Sequence, residues 1–494
     1  MAMITCPFCM ESYDADSVHF RVDSPLDKRN IQIQINRLES ELTVLQNTAA
    51  SKADIENKQI RIDRMKATSL PFCINDEPDV LLRKYYTEMS IDISSVNDPS
   101  IYYPVVDFSN NKVLFGESSG TAKIRDKAGM LIGVKDFRGM VNQTRLCPCC
   151  HNALPENYGQ NSTIFISLIG ITQSGKTVYL SSFLRDLEDE LAYAGLTLIS
   201  ANKNVNDFLN SYPVCQNMPL PMGTLARKPS EPLIFNVRTA DGKNYTIVLF
   251  DIAGENCVDS QQMRIYGKFI KKSSGIVMLI DPSQFPELNG RLNNELDEED
   301  MQCVMQTQET FVRTTPTKVL QTIHEAFFGA GNEKIQTPVA LTVAKFDQLV
   351  NMVNDRNGLE SVWNHVEIPG NIPVNHRFSF FSNIFKRDVA NKHMCLRRFL
   401  SDDRSGFALL NHLDQLYARS VLFAASALGN GAHCSIKNSG GQLMTVLDTE
   451  PLPFGLYDPF FWILFNNINN TVEQSNPSVE KKDEKRGLFK FGRH

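Results

Sequence analysis

Between residues 160 and 430 the chain alternates short apolar runs with amphipathic stretches, the pattern of strands and helices packed in layers. Apolar runs at 164–169, 246–250, 275–280, 338–343 and 420–424 predict strands. After the first, Val178, Leu180, Phe183, Leu184, Leu187 and Leu191 recur at helical spacing. Nearer the N-terminus the period is different. Ile31, Ile35, Leu38, Leu42 and Leu45 keep a 3-4 spacing that loses phase at "NTAASKAD" and resumes at Ile55 and Ile62, so 29–66 reads as a helical hairpin. Residues 100–137 look β-rich, with "VVDFSNNKVLF" as a hairpin. The last stretch is polar until Leu488 and reads as a disordered tail with a basic-aromatic tip.

With 494 residues there is room for two or three domains, and 42% hydrophobic with 21% charged residues describes an ordinary soluble chain. The net charge of −6 gives no support to general nucleic-acid binding. "GIVMLI" and "FFWILF" are the longest apolar candidates, far short of the ~18 residues a membrane span needs. "MAMITCPFCMESYD" lacks the basic flank and apolar stretch of a signal peptide, so a cytoplasmic location is expected. The acidic run "ELDEED" (295–300) reads as a solvated loop.

Eleven cysteines are an odd number and gather at two places, which suits metal better than disulfides. Cys6-Pro-Phe-Cys9 and Cys147-Pro-Cys-Cys150 are two C-x-x-C knuckles, and two such knuckles complete a tetrahedral, structural Zn²⁺ site. Their wide separation implies an insertion between the halves. Cys149 and His151 are alternatives to Cys150 as ligand, although the spacing favours Cys150.

The sharpest signal follows the first strand. Gly170-Ile-Thr172-Gln173-Ser174-Gly175-Lys176-Thr177 fits G-x-x-x-x-G-K-[ST], in the strand–turn–helix setting that a phosphate-binding loop requires. Backbone N–H groups of 172–177 and the new helix N-terminus would face the phosphates. Lys176 would reach the β/γ-phosphates and the Thr177 hydroxyl would sit on Mg²⁺. After the strand "YTIVLF" comes Asp251-Ile-Ala-Gly254-Glu255: the aspartate can hold a water of the Mg²⁺ shell, and the Gly254 N–H can meet the γ-phosphate. Thr224 follows a Pro/Gly-rich loop, where a switch threonine would contact Mg²⁺, and precedes a strand that can form a hairpin with 246–250. Ala344-Lys345-Phe346-Asp347 follows "PVALTV" where guanine-specific proteins carry [NT]-K-x-D; Asp347 would accept from guanine N1–H and the exocyclic amine. Ser426-Ala427-Leu428 resembles the loop whose backbone N–H meets guanine O6.

In this order the motifs resemble the Ras-like GTPases of the translation-factor-related (TRAFAC) class. They are most similar to the bacterial double-GTPase families in "SGKTVYL", "LPMGT", "DIAGE", "DPFFWIL" and the knuckle "CPCCHNALP". The resemblance covers roughly 147–465 plus the first knuckle. It implies an α/β fold: a Ras-like P-loop GTPase domain with a central, mostly parallel sheet, preceded by a zinc-ribbon-like module that an α+β insert interrupts. The expected division is a split module at 1–20 and 141–155, an insert at 21–140, the GTPase domain at 160–465 and the tail at 466–494. It implies GTP and GDP as ligands with Mg²⁺, and work beside a second GTPase or effector in bacterial conflict or defence. Glu255 stands where related proteins place a water-orienting glutamine, so slow hydrolysis is expected. The competing readings are a nucleotide-binding scaffold that does not turn over, acting through its zinc and helical module, and a P-loop ATPase.

Overall fold

Strands covered on both faces read as continuous apolar runs, and all five expected runs fold as strands of one sheet. The computed structural model describes residues 3–48, 50–106, 123–171, 174–221, 231–252, 263–264, 267–286, 288, 315–327, 334–349, 362, 366–369, 371–429, 432–439 and 442–475. The central sheet contains β1 (Ser162–Gly170), β2 (Leu196–Ala201), β3 (Leu233–Thr239), β4 (Asn244–Ile252), β5 (Gly275–Ile280), β6 (Val339–Val343) and β7 (Ser420–Ala424). Their order is β2-β3-β4-β1-β5-β6-β7. Pairing is parallel from β4 across to β7 and antiparallel at β2–β3 and β3–β4. The class is mixed α/β with a mostly parallel sheet. β3 is the hairpin partner expected after Thr224. β2, an edge strand, was not foreseen.

Alternation along the strands assigns each face its cover. Ile164, Ile166 and Leu168 of β1, with Phe235 and Ile247, pack against helix α3 (Lys176–Arg185) and helix α5 (Asp458–Ser475) through Leu180, Phe183, Phe460 and Leu464. On the opposite face, Ile276, Met278 and Leu341 pack against helix Pro316–Phe327 and the end of helix α4 (Val374–Ser401). The rest of that face, Phe165, Ile234, Val248 and Phe250, is covered by Ile4, Tyr13, Phe20 and Leu131 from the N-terminal region. Burying each such large side chain contributes about 1.5–3 kcal/mol.

In the N-terminal region α1 (Lys28–Asn47) and α2 (Lys52–Thr68) form the expected hairpin, capped by Asp27 and Ser51 and closed by Ile35, Leu38, Leu42 and Ile62. The break at 48–51 accounts for the lost phase. Short strands surround it: Val105–Val106, Lys123–Arg125 and Leu131–Lys135 fall in the β-rich stretch, while most of "VVDFSNNKVLF" lies outside the described residues. So does "ELDEED". One boundary needs correction. Helix α5 runs to Ser475, past the expected tail boundary at 465, because Ile468 continues the buried stripe of Leu464 and Phe465. Among the described residues no helix is long and apolar enough to cross a membrane.

Candidate functional site

The C-terminal ends of parallel strands are where α/β sheets collect ligand-binding residues, and those sequence candidates that lie among the described residues are found at or after such strand ends. β1 ends at Gly170, and a Cβ there would stand 2.5 Å from Ser174 Oγ, so only glycine admits the turn. Gly175 sits at φ +74°, left-handed, immediately before α3 opens at Lys176. Lys176, Thr177 and, near the end of β4, Asp251 are buried. Lys176 Nζ donates to Asp251 Oδ1. Ser174 Oγ is buried without a hydrogen-bond partner among the described residues. An orphaned hydroxyl beside a buried ammonium and a helix N-terminus is a donor set that a bound phosphate would satisfy. Thr177 and Asp251 are the oxygen donors a hard cation such as Mg²⁺ takes. Thr172, Gln173, Thr224, Gly254 and Glu255 lie outside the described residues.

A second group lies beyond β6 and β7. Ser426 Oγ donates to Asp347 Oδ1 at 2.5 Å and accepts from the Gly429 N–H at 2.8 Å. Burial raises the Asp347 carboxyl above its ordinary range, and the Ser426 hydrogen bond opposes that rise. The loop is pinned by reciprocal backbone bonds between Ser426 and Phe454. Ser182 Oγ of α3 donates to the Ala427 carbonyl at 3.2 Å, which ties this loop to the helix that opens at Lys176. Leu428 completes the loop and accepts from the Leu452 N–H. Ala344 is buried, and its N–H bonds the Ile280 carbonyl at 2.8 Å.

Sequence reasoning missed Asp281, directly after β5. It is 2% exposed, and its Oδ2 accepts from Lys345 Nζ at 2.7 Å. An aspartate ending the apolar run "GIVMLI" was the available signal.

The two knuckles meet. The sulfurs of Cys6, Cys9, Cys147 and Cys150 all lie within 4.8 Å of one another, with Cys6–Cys150 and Cys9–Cys147 both at 3.7 Å. Both turns have the same form. The residue after each second cysteine is left-handed (Met10 at φ +63°, His151 at +52°), and its N–H bonds the carbonyl of the first cysteine. Phe8 N–H points at Cys6 Sγ at 3.3 Å and Cys149 N–H at Cys147 Sγ at 3.4 Å. Such donors favour thiolates. Burial pushes the Cys6 thiol well up, whereas hydrogen bonds led by Cys147 pull Cys9 down. Four crowded sulfurs of this kind suit a thiophilic cation, and the cluster could hold a metal ion. Of the alternative ligands, Cys149 is exposed, and the His151 ring is engaged by His19 and Asp79 at 2.8 Å each. Cys150 is the fourth member.

No family model matches the chain. A protein of Mycolicibacterium smegmatis, named as a candidate ESX-1 scaffolding and assembly protein (SaeC), is 24% identical over 332 residues, 64% of this chain and 78% of that protein. Among solved structures, translation elongation factor SelB from Methanococcus maripaludis with the GTP analogue GppNHp is 12% identical with a TM-score of 0.20. Sup35 complexed with GMPPNP is 10% identical with a TM-score of 0.19. Each alignment covers 54% of this chain, but only 30% of the SelB chain and 38% of the Sup35 chain.

Proposed function

We propose that the chain is a guanine-nucleotide-binding switch of the Ras-like, TRAFAC-type kind that hydrolyses GTP slowly, with Mg²⁺ as cofactor. The observation that carries this reading is the shared edge: a G-x-x-x-x-G-K-T turn whose Ser174 hydroxyl has no partner among the described residues, and the Asp347–Ser426 pair, whose loop is tied to α3 by the Ser182–Ala427 hydrogen bond. In it, Ser174, Gly175 and Lys176 hold the phosphates, Thr177 and a water on Asp251 hold Mg²⁺, and Asp347 with the Ser426–Leu428 loop reads guanine. Gly170 gives the turn its shape, and Thr172 and Gln173 complete it. Thr224, Gly254 and Glu255 take the switch and water-positioning roles. Mg²⁺ supplies charge neutralisation at the transferred phosphoryl group. Zn²⁺ at the four cysteines is structural.

The name of the M. smegmatis relative favours a second reading, in which nucleotide binding sets the form of an assembly scaffold and turnover is incidental. Calorimetric titration with GTP, GDP and ATP, with phosphate release measured on the same sample, separates the two. GTP binding with release supports the switch; GTP binding without release supports the scaffold; ATP preference refutes the guanine assignment. Lys176→Ala should abolish binding. Because it strands the buried Asp251 carboxylate, a loss of about 3–5 kcal/mol in stability accompanies it, and Lys176→Ala/Asp251→Asn restores the fold without restoring affinity.

A further inference from the structure

Lys345 is one point where the two halves of the edge approach each other. Its backbone is left-handed at φ +50°, uncommon for a residue with a side chain. Its stem passes the phosphate-loop turn: a Cβ on Gly175 would lie 3.5 Å from Lys345 Cε. The side chain is 37% exposed, so solvent competes for the ammonium, and only a fixed partner holds a long lysine in one geometry. That partner is Asp281, and its orientation is set independently. Its Oδ1 accepts from the Ser283 N–H at 2.8 Å, and its own N–H donates to Gln284 Oε1 at 3.1 Å, a reciprocal cap that leaves Oδ2 for Lys345. Position 344, which could offer a polar side chain from the same loop, is Ala344.

We propose that Asp281 is a positioning residue for nucleotide binding, acting through Lys345. By fixing the ammonium it holds the lysine stem across Gly175, so that the phosphate loop and the base-reading loop are preorganised as one site. The inference rests on the guanine-nucleotide reading above. Loss of the carboxylate frees Lys345 and makes the ligand bear the ordering cost.

The test is a double-mutant cycle on the full chain, read by calorimetry with GDP and GTP. Asp281→Asn keeps the Oδ1 cap, and Asp281→Ser caps as well but lacks Oδ2; either should weaken both nucleotides by about tenfold, the scale of one charge-assisted hydrogen bond. Lys345→Met should cost at least as much, and in its background Asp281→Asn should add nothing. Additive losses, wild-type affinity in both Asp281 variants, or a reduced binding stoichiometry with unchanged Kd would overturn the proposal. The last outcome would assign Asp281 to folding alone. A wild-type chain with no affinity for GDP or GTP would instead remove the nucleotide reading, and this inference with it.

Discussion

Removing the metal that we assign to the four cysteines should loosen the whole N-terminal region. Cys6 and Cys150 lie 144 positions apart, so an ion held by both knuckles closes a very long loop. In the chain-entropy treatment of cross-links, a loop of that length is worth about 5 kcal/mol through the unfolded state. The loop is anchored at its ends by the knuckles themselves, and Phe20, Leu131 and Tyr158 pack in the same core. Stripping the ion also leaves four buried or half-buried sulfurs competing for protons, with Cys6 strongly resisting charge. For a cooperative unit of 150–250 residues, the loss corresponds to a fall on the order of 10–20 °C in unfolding temperature. The assay is metal analysis of chelator-free protein, followed by thermal unfolding of wild type with and without a strong chelator, and of Cys6→Ser. Zinc near one per chain, and a matching fall for chelator and variant, are expected. Zinc-free protein, or an unfolding temperature that ignores the chelator, would refute the assignment.

Two further predictions concern other parts of the fold. Asp347→Asn keeps an acceptor for the Ser426 hydroxyl, so the loop survives while the second acceptor oxygen becomes a donor; the GTP-over-ATP affinity ratio should fall by roughly two orders of magnitude, and an unchanged ratio would move base reading elsewhere. His393 Nδ1 accepts from the Leu422 N–H of the edge strand β7 at 3.0 Å, and burial, then nearby Arg397, hold its pKa below the ordinary value while Asp414 opposes. The unfolded state therefore binds the proton more readily, so this stabilisation is full above about pH 6.5 and is lost as pH falls below it. Between about pH 7.5 and about pH 5.5 the unfolding temperature should drop less in His393→Gln than in wild type, and equal slopes would count against the contact.

What was legible in the sequence follows from what each signal depends on. The parallel strands are buried on both faces, so their residues carry the pattern without help from context; Ile276 to Ile280 is apolar at every position. β2 is an edge strand with Ser200 and Ala201 exposed, and no continuous run marks it. The turn between β1 and α3 was readable because its signal is local, eight consecutive residues with glycines where the backbone must turn. Asp281 was not, because its meaning depends on Lys345, 64 positions away and in the loop after another strand. The cysteine cluster falls between these cases. Each knuckle is local and was visible, whereas the approach of the two over 138 to 144 positions is a property of the fold.

Least visible of all was what covers the sheet beside β4. Val248 and Phe250 carry the period-2 alternation of a strand with two buried faces, which says that something packs there and not what. The cover is the cysteine-bearing region itself: Cys6, Cys147 and Cys150 share one apolar cluster with Phe165, Phe250 and Phe269. Phe269 stacks on Phe250 with ring centroids 4.1 Å apart, and Phe250 immediately precedes Asp251, the partner of Lys176. Tightly packed interiors do not deform continuously, so any shift of Asp251 must be absorbed by its neighbours on the same strand. On that face of β4 those neighbours pack against Phe269 and the N-terminal region. The cysteine cluster thus packs on the far side of the strand that carries Asp251, the partner of Lys176.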